Sequence, residues 1–216
     1  MISLKLKAIA FFIDKSDRVV DIGCDHAYLG IYLKENNLCK SIISSDINEN
    51  ALNNAIINVN KHGLNSKIKC ILSDGLNNIN TDTVDTIVIA GMGTKTIKEI
   101  LNRKDKLKGI KKIILSSNND QYELRKYMQK KDYKLADEKI IFEKNHYYVI
   151  SKYIKGKQKL SKYELQFGLS KIGKREYYSY LIDENNRILK KIPFTKLKRR
   201  HKIKRENRIL KKLIKR

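Results

Sequence analysis

The feature that most constrains the fold of this chain is a repeated alternation of short apolar runs with segments of helical periodicity. Five runs rich in Val, Ile and Leu each end in a polar or glycine-containing turn, and segments with an apolar stripe separate them. Strands that alternate with helices form a mainly parallel sheet with helices on both faces. We predict strands at 19–23, 41–46, 68–72, 86–90 and 112–115, and helices at 28–37, 48–61, 94–101 and 121–129.

Two further apolar runs, 136–142 and 147–154, follow one another without a helical segment between them. Neighbouring strands joined by a short turn pair antiparallel. We therefore predict an antiparallel pair that closes one edge of the sheet. The predicted fold class is α/β, with a mainly parallel seven-stranded sheet in a domain that ends near residue 155.

The region 156–216 has long helical periodicity instead. Pro193, the only proline of the chain, interrupts it, and proline breaks the hydrogen-bond ladder of a helix. We predict a C-terminal extension of two antiparallel helices, joined near 192–195, with their apolar stripes packed together and their basic faces exposed. The two stripes consist of Tyr178, Leu181, Ile188 and Ile192, and of Leu197, Ile209, Leu210 and Leu213.

The net charge of the chain is +24 and is unevenly distributed. Residues 1–150 contain 24 basic and 18 acidic residues, whereas residues 151–216 contain 23 basic and 5 acidic ones, a net charge of +18. So dense a basic region attracts a polyanion, which favours nucleic acid as the partner. A general compositional bias would give the first 150 residues a similar excess of basic over acidic residues. A membrane surface is disfavoured because the chain contains no Trp to anchor an interfacial helix.

Cysteine and histidine usage argues against structural crosslinks and metal. Cys24, Cys39 and Cys70 have no C-x-x-C spacing, and the four histidines are scattered, so we expect neither a disulfide framework nor a bound metal. No stretch approaches 18 apolar residues, and the first residues lack a signal-peptide pattern. We therefore expect a cytoplasmic protein.

Acidic residues follow successive strands at the edge where an open parallel sheet binds its ligand. Asp21 and Asp25 flank the end of the first strand, and Asp46 and Asp74 follow the second and third. Carboxylates repel phosphate and suit a cationic ligand. Only Gly23 remains of the G-x-G-x-x-G pattern of dinucleotide sites, which disfavours NAD and FAD. S-adenosylmethionine fits, because it has a sulfonium, an ammonium, a ribose diol and an adenine.

Each acidic residue can be given a role from its place along the sheet. Gly23 lets the backbone approach the ligand, and Asp21 or Asp25 faces the ammonium. Asp46 accepts both ribose hydroxyls, and Asp74 accepts the exocyclic amine of the adenine. A lone carboxylate at such a place is more often a helix cap, but four at successive strand ends favour a site. The other predicted cofactor-binding residues are Cys24, Ile47, Gly75, Ala90, Gly91 and Met92.

Several sequence blocks resemble one bacterial family. The blocks D-I-G-C-D-H-A-Y-L at 21–29, D-G-L at 74–76 and I-A-G-M-G at 89–93, together with Asn118, are similar to the tRNA adenine-N1 methyltransferases that modify adenine 22 in the D-arm, the TrmK-like family. The resemblance covers almost the whole chain. It implies a class I methyltransferase fold, S-adenosylmethionine as donor, tRNA as acceptor and a C-terminal helical extension.

The chain departs from the family pattern at three positions. The family commonly has proline where this chain has Gly30, glycine where it has Thr94, and proline where it has Ser117. The missing proline directly precedes Asn118. We expect its loss to loosen the loop nearest the target base.

The expected chemistry needs positioning more than a base. N1 of adenine is already nucleophilic, so holding it in line with the methyl group lowers most of the barrier. Asp25 is our first choice to stabilise the charge that develops on the base. His26 and Tyr28 would orient the base or stack on it, and Asn118 would bond its edge; a capping or packing role for His26 is the alternative. N1 lies on the Watson–Crick edge, so the adenine must be unpaired first.

Two other functions compete with this one. The first is a methyltransferase of the same fold that acts on another RNA or on a protein; Gly91-Met92-Gly93 replaces the D/N-P-P-Y of exocyclic-amine enzymes. The second is a non-catalytic RNA-binding protein that retains the fold, against which the acidic strand ends argue. We expect tRNA to be held mainly by the basic C-terminal helices and see no sign of an obligate protein partner.

Overall fold

A computed structural model describes residues 2–169 and 174–215. The chain divides into two compact units, residues 1–169 and residues 170–216. The elements of the first unit are α1 (Leu4–Ala10), β1 (Arg18–Ile22), α2 (Tyr28–Glu35), β2 (Ser41–Asp46), α3 (Glu49–Lys61), β3 (Ile68–Leu72), β4 (Thr86–Met92), α4 (Thr94–Ile100), β5 (Lys112–Ser117), α5 (Gln121–Lys130), β6 (Tyr133–Glu143), β7 (His146–Lys155) and α6 (Lys162–Phe167). The second unit contains α7 (Arg175–Lys191) and α8 (Leu197–Ile214).

The first unit is built on one seven-stranded sheet in the order β3-β2-β1-β4-β5-β7-β6. Strands β1 to β5 pair in parallel, and β7 runs antiparallel to both β5 and β6. This confirms the predicted mainly parallel sheet with its closing antiparallel pair. The strand order reverses between β1 and β4, which is the place where open sheets of this kind bind ligands.

The β6–β7 hairpin reaches past the sheet strand beside it. β5 pairs only with residues 151–154 of β7, whereas β7 begins at His146 and continues to pair with β6 as far as Glu143. Because β7 is antiparallel to β5, its first residues extend beyond the carboxyl end of β5. The tip of the hairpin therefore lies at the ligand-binding edge.

Two hydrophobic clusters cover the two faces of the sheet. Successive strand residues point to opposite faces, so that Val19 joins one cluster and Val20 the other. The first cluster contains Ile9 of α1 and Leu33 of α2, and the second contains Leu124 of α5. Helices on both faces of the sheet were predicted from the alternation of elements, and the structure confirms them.

The first compact unit runs further than residue 155, where the sequence placed the domain boundary. After β7 the chain returns to α5 and forms α6, which the sequence analysis did not predict. Leu160 and Leu165 are buried in the second hydrophobic cluster, and Nη1 of Arg125 donates to the main-chain oxygen of Leu165 at 3.0 Å. Helix α6 has only six residues, too few to show a period, although its S-x-x-E capping box is readable at Ser161.

The second unit is an antiparallel helical pair, as predicted. Nδ2 of Asn185 in α7 donates to Oδ1 of Asn207 in α8 at 2.8 Å, and near the turn Nη1 of Arg200 donates to the main-chain oxygen of Leu189 at 2.7 Å. The predicted apolar stripes are partly wrong. Ile192 is buried as predicted, but Ile188 is 37% exposed and Leu197 is 65% exposed, because the buried stripe of α7 passes through Ile182 and Leu197 lies at the turn. The buried residues within the two helices are Tyr178, Ile182, Ile203, Asn207 and Leu210.

No helix in the described part of the chain is long and apolar enough to cross a bilayer. Within residues 2–169 and 174–215 there is also no group of three or more His, Cys, Asp or Glu side chains placed to hold a metal ion.

Candidate active site

A cleft of about 340 Å³ opens at the carboxyl ends of β1 to β4, where the strand order reverses. Six of the predicted cofactor-binding residues line it: Gly23, Asp46, Ile47, Asp74, Gly75 and Met92. Asp74 and Ile47 are exposed in the cleft, and Ile47 is 66% exposed despite its apolar side chain. The cleft therefore combines carboxylates with an accessible apolar surface.

The turn after β1 has a conformation that requires glycine. Gly23 has a φ of +75°, and a Cβ built there would collide with Cε of Met92. The main-chain N–H groups of Gly23 and Cys24 both donate to the main-chain oxygen of Ser45, at 2.8 and 3.0 Å. The side chain of Cys24 is buried in the hydrophobic core, where burial raises the pKa of its thiol. Cys24 thus contributes backbone to this edge rather than a reactive sulfur.

Asp46 is held in the cleft by main-chain donors. Its Oδ2 accepts from the N–H of Asp25 at 3.1 Å, and its Oδ1 accepts from the N–H of Asn48 at 2.9 Å. Each carboxylate oxygen can accept a further hydrogen bond. The side chain is therefore oriented so that it can accept two neighbouring hydroxyl groups.

Asp21 is a buried carboxyl at the end of β1. Burial raises its pKa to about 7; the positive charge of Lys5 opposes this shift and the negative charge of Asp46 adds to it. A carboxyl in such a place ionises readily when a cation comes close. Asp21 does not line the cleft itself, so the sequence-based choice between Asp21 and Asp25 as partner of an ammonium is still a prediction.

Three of the predicted catalytic residues form one surface cluster. The side chain of Asp25 is 69% exposed, and its Oδ2 lies 3.6 Å from Nε2 of His26. The His26 ring stacks on the ring of Tyr28 with 5.3 Å between centroids, and Tyr28 is 52% exposed. Asp25 and Ala27 both have positive φ angles, which turns the loop sharply between β1 and α2. The loop thus presents a carboxylate and two stacked rings together.

Asn118, the fourth predicted catalytic residue, joins the ends of β4 and β5. Its Nδ2 donates to the main-chain oxygen of Gly91 at 2.7 Å, and its main-chain N–H donates to that of Met92 at 2.9 Å. Ala90 is half-buried and Gly91 is exposed at this strand end. Asn118 is thus an exposed side chain fixed by the β4 loop.

Two of the departures from the family pattern touch each other. Oγ1 of Thr94 lies 2.8 Å from Oγ of Ser117 and 2.6 Å from the main-chain oxygen of Asn119. The N–H of Thr94 also donates to Oδ1 of Asn119 at 2.9 Å. The loop after β5 is therefore connected to the start of α4 by three buried or partly buried hydrogen bonds. These bonds hold the segment that the missing proline was expected to loosen.

Gly30, the third departure, lies where α2 crosses β2. A Cβ at Gly30 would come within 2.8 Å of Oγ of Ser44. Glycine therefore allows the close packing of this helix on the sheet.

Part of the cleft was not predicted. The lining of the cleft also includes Thr96, Glu99 and Ile100 of α4 and Arg103, which follows α4. Their spacing of three to four residues, which places them on one face of a helix, can be read from the sequence. The sequence does not show that this face lines the cleft.

The fold and this acidic cleft define a Rossmann-like methyltransferase. In agreement, the family described as "Methyltransferase domain" matches residues 2–151. The structure of M. capricolum TrmK in complex with S-adenosyl-homocysteine is 33% identical, has a TM-score of 0.84, and covers 100% of this chain and 98% of that one. The chain belongs to the TrmK family of tRNA (adenine(22)-N(1))-methyltransferases.

Two further comparisons agree with this assignment. A Streptococcus agalactiae protein of the NADB-Rossmann superfamily is 32% identical with a TM-score of 0.90, covering 99% of this chain and 97% of that one. The tRNA (adenine(22)-N(1))-methyltransferase of Bacillus subtilis is 37% identical over 150 residues, which are 69% of this chain and 63% of that protein. The chain thus matches less than two thirds of the length of this curated relative.

Proposed function

We propose that this protein transfers the methyl group of S-adenosylmethionine to N1 of adenine 22 in the D-arm of tRNA. The observation that carries the proposal is the cleft at the strand-order reversal. There Gly23 would let the backbone approach the cofactor, and the oriented carboxylate of Asp46 can accept the two hydroxyls of its ribose. The family and its TrmK relatives support the same reaction.

The residues present fit S-adenosylmethionine. Asp46 would hold the ribose diol, and Asp74 would accept the adenine amine. Ile47 offers an apolar surface to the adenine ring, next to Asp46. The cleft lining contains Asp46, Asp74 and Glu99 among the described residues, which suits a cationic ligand and not a pyrophosphate.

The donor, when bound, supplies an electrophilic methyl group on a sulfonium. The residues of the chain then have to position the adenine, because its N1 needs no base before it attacks. Tyr28 and His26 would stack on the base, as base-binding aromatic side chains do. Asn118 would hold its edge. Asp25 would stabilise the positive charge that appears on the methylated ring.

The second unit would bind the tRNA backbone. Residues 170–216 contain 18 basic and 4 acidic residues, a net charge of +14. On α8, Lys204, Arg205 and Arg208 are exposed beside one another. Such a surface would hold phosphates without reading bases. We also propose a cytoplasmic location, where this protein would meet its tRNA substrate, and the proposal requires no protein partner.

The test is methyl transfer to an unmodified tRNA transcript with labelled S-adenosylmethionine, followed by nucleoside analysis by mass spectrometry. We expect 1-methyladenosine at position 22 and none in a transcript with guanine at that position. Asp25→Ala should abolish transfer while tRNA affinity stays within about twofold, because the phosphates bind elsewhere. Labelling of both transcripts alike would favour another RNA position, and cofactor binding without any labelling would favour another acceptor.

A further inference from the structure

A second cavity adjoins the candidate site, and the proposed reaction does not use it. It has a volume of about 500 Å³ and forms a groove between α4 and α5, which we call the α4–α5 groove. Thr94 and Asn119 line one end of it, and Asn119 directly follows Asn118. Glu99 lines both the groove and the cleft of the candidate site. The groove therefore starts where the target base is proposed to lie.

The carboxylates of the α4–α5 groove already have partners. Oε1 of Glu99 lies 3.9 Å from Nζ of Lys95. Oε1 of Glu123 lies 3.9 Å from Nζ of Lys126. Asp120 caps α5, where its Oδ1 accepts from the N–H of Glu123 at 3.3 Å. The acidic side chains of the groove are thus engaged by other groups.

Three lysines converge on the part of the groove that Tyr127 lines. Nζ of Lys98 and Nζ of Lys131 lie 5.6 and 5.5 Å from the centroid of the Tyr127 ring, so the two ammonium groups share one aromatic surface. Burial lowers the pKa of Lys131, and the positive charge of Lys104 lowers it further. In the described part of the chain, no carboxylate oxygen lies within 4 Å of any of these three ammonium groups.

Converging ammonium groups repel one another, and an anion that binds among them relieves the repulsion. A phosphodiester backbone supplies such anions at regular intervals, and an open groove suits a chain better than a single small ion. We propose that the α4–α5 groove binds the tRNA backbone next to the target adenine, with phosphates at Lys98, Lys131 and Lys104. This inference rests on the proposed function and adds a nucleic-acid contact within the first unit.

The position of the groove gives this contact a role in presenting the base. The adenine has to leave its base pair before N1 is accessible, and the backbone on either side of it must then be held. Asn119 at one end of the groove follows Asn118, which is proposed to hold the edge of the base. Lys98 lies one helical turn after Thr94, about 6 Å along α4. The groove would thus hold the phosphates nearest to the reacting adenine.

The test uses the full chain and a tRNA in which the two phosphates that flank adenine 22 are replaced by uncharged methylphosphonates. We expect the wild type to bind this tRNA about fivefold to tenfold more weakly than the normal one. The double variant Lys98→Gln/Lys131→Gln should bind the normal tRNA about as weakly, and neutralising the phosphates should then cause little further loss. Its affinity for S-adenosylhomocysteine should equal that of the wild type.

Two further double variants serve as controls. Lys98→Arg/Lys131→Arg keeps both charges and should restore most of the tRNA affinity. Lys61→Gln/Lys67→Gln removes the same charge from exposed positions of the first unit outside the groove. This second control should remain as sensitive to the methylphosphonates as the wild type.

Other results would overturn the inference. If the methylphosphonates weaken Lys98→Gln/Lys131→Gln as much as the wild type, the groove does not hold these phosphates. If the wild type binds both tRNAs equally, the flanking phosphates are not contacted, and methylation of adenine 22 in the normal tRNA would leave the proposed function intact. A wild type that does not methylate adenine 22 would overturn both proposals.

Discussion

Asp21 is a residue whose buried carboxylate lowers the stability of the folded protein and is predicted to bind the cofactor. Its folded pKa of about 7, against 3.8 in water, means that ionising it in the folded protein costs about 4 kcal/mol at most. Below about pH 4 the carboxyl is neutral in both states and costs nothing. Between pH 4 and 7 the unfolded chain ionises first, so stability falls as pH rises, and the full cost persists above pH 7.

Asp21→Asn should therefore raise the melting temperature at pH 8 by several degrees and hardly change it at pH 4. The same variant should bind S-adenosylhomocysteine about tenfold more weakly or worse, because an amide does not neutralise an ammonium. Melting curves at both pH values and one titration check this. If Asp21→Asn raised the melting temperature equally at both pH values, burial of the Asp21 charge would not be the cause of the lower stability of the wild type.

Residues at strand ends were the ones that the sequence could place together at one edge, and three of them line the cleft. Gly23, Asp46 and Asp74 follow short apolar runs, and the carboxyl ends of parallel strands share one edge, so their proximity follows from the order of elements alone. Lys5 of α1 and Arg103, which follows α4, reach the same edge from outside the strands. Their placement depends on how α1 and α4 cross the sheet, which side-chain packing decides and which no local pattern encodes.

At the scale of elements, one buried ion pair joins four of them. Nη2 of Arg125 in α5 donates to Oε1 of Glu138 in β6 at 2.7 Å, and both side chains are almost fully buried. Ser151 of β7 bonds the same oxygen, and Arg125 also donates to the main-chain oxygens of Leu165 and Gln166 in α6. Arg125 therefore fixes the element that the sequence analysis assigned to the C-terminal extension.

Arg125→Met should cost about 3 to 5 kcal/mol of unfolding free energy, since it removes the positive charge that offsets the buried carboxylate of Glu138. It should also make residues 156–169 sensitive to proteases. The control is Lys126→Met on the same helix. Lys126 is half-exposed and lies 3.9 Å from Glu123, so its loss should cost less than about 1 kcal/mol. Denaturant unfolding of the two variants gives the comparison, and similar costs for both would refute a structural role for the buried pair.

The elements that sequence reasoning predicted and those it missed differ in what determines their place, and not simply in length, since the predicted α4 has seven residues like the missed α1. The strands and helices of the parallel sheet follow a repeated strand–helix alternation. Helices α1 and α6 have seven and six residues, and their place is set by contacts with Glu143 and Arg125, far away in sequence. Likewise β7, rather than β6, lies beside β5, and local pairing alone does not decide that order.

At the scale of the whole molecule, the candidate site and most of the net positive charge belong to different units. The acidic cleft belongs to residues 1–169, whereas residues 170–216 carry a net charge of +14 out of +24. A truncation that separates the two must be made after Leu169, because a cut at 157 would remove Leu160 and Leu165 from the core. Charge removal in the full chain is a cleaner test, since it leaves the core untouched.

Replacement of Lys204, Arg205 and Arg208 by Gln should weaken tRNA binding about tenfold or more, because each of these exposed side chains can neutralise a phosphate. The slope of log affinity against log salt should fall by about 3, and the affinity for S-adenosylhomocysteine should not change.

The matched control replaces the exposed Lys61, Lys67 and Lys69 of the first unit by Gln, which removes the same charge. If both triple variants bind tRNA equally weakly in a titration over several salt concentrations, net charge attracts the tRNA and α8 is not its specific contact. If only the α8 variant is weakened, the basic helix is the surface that holds the substrate.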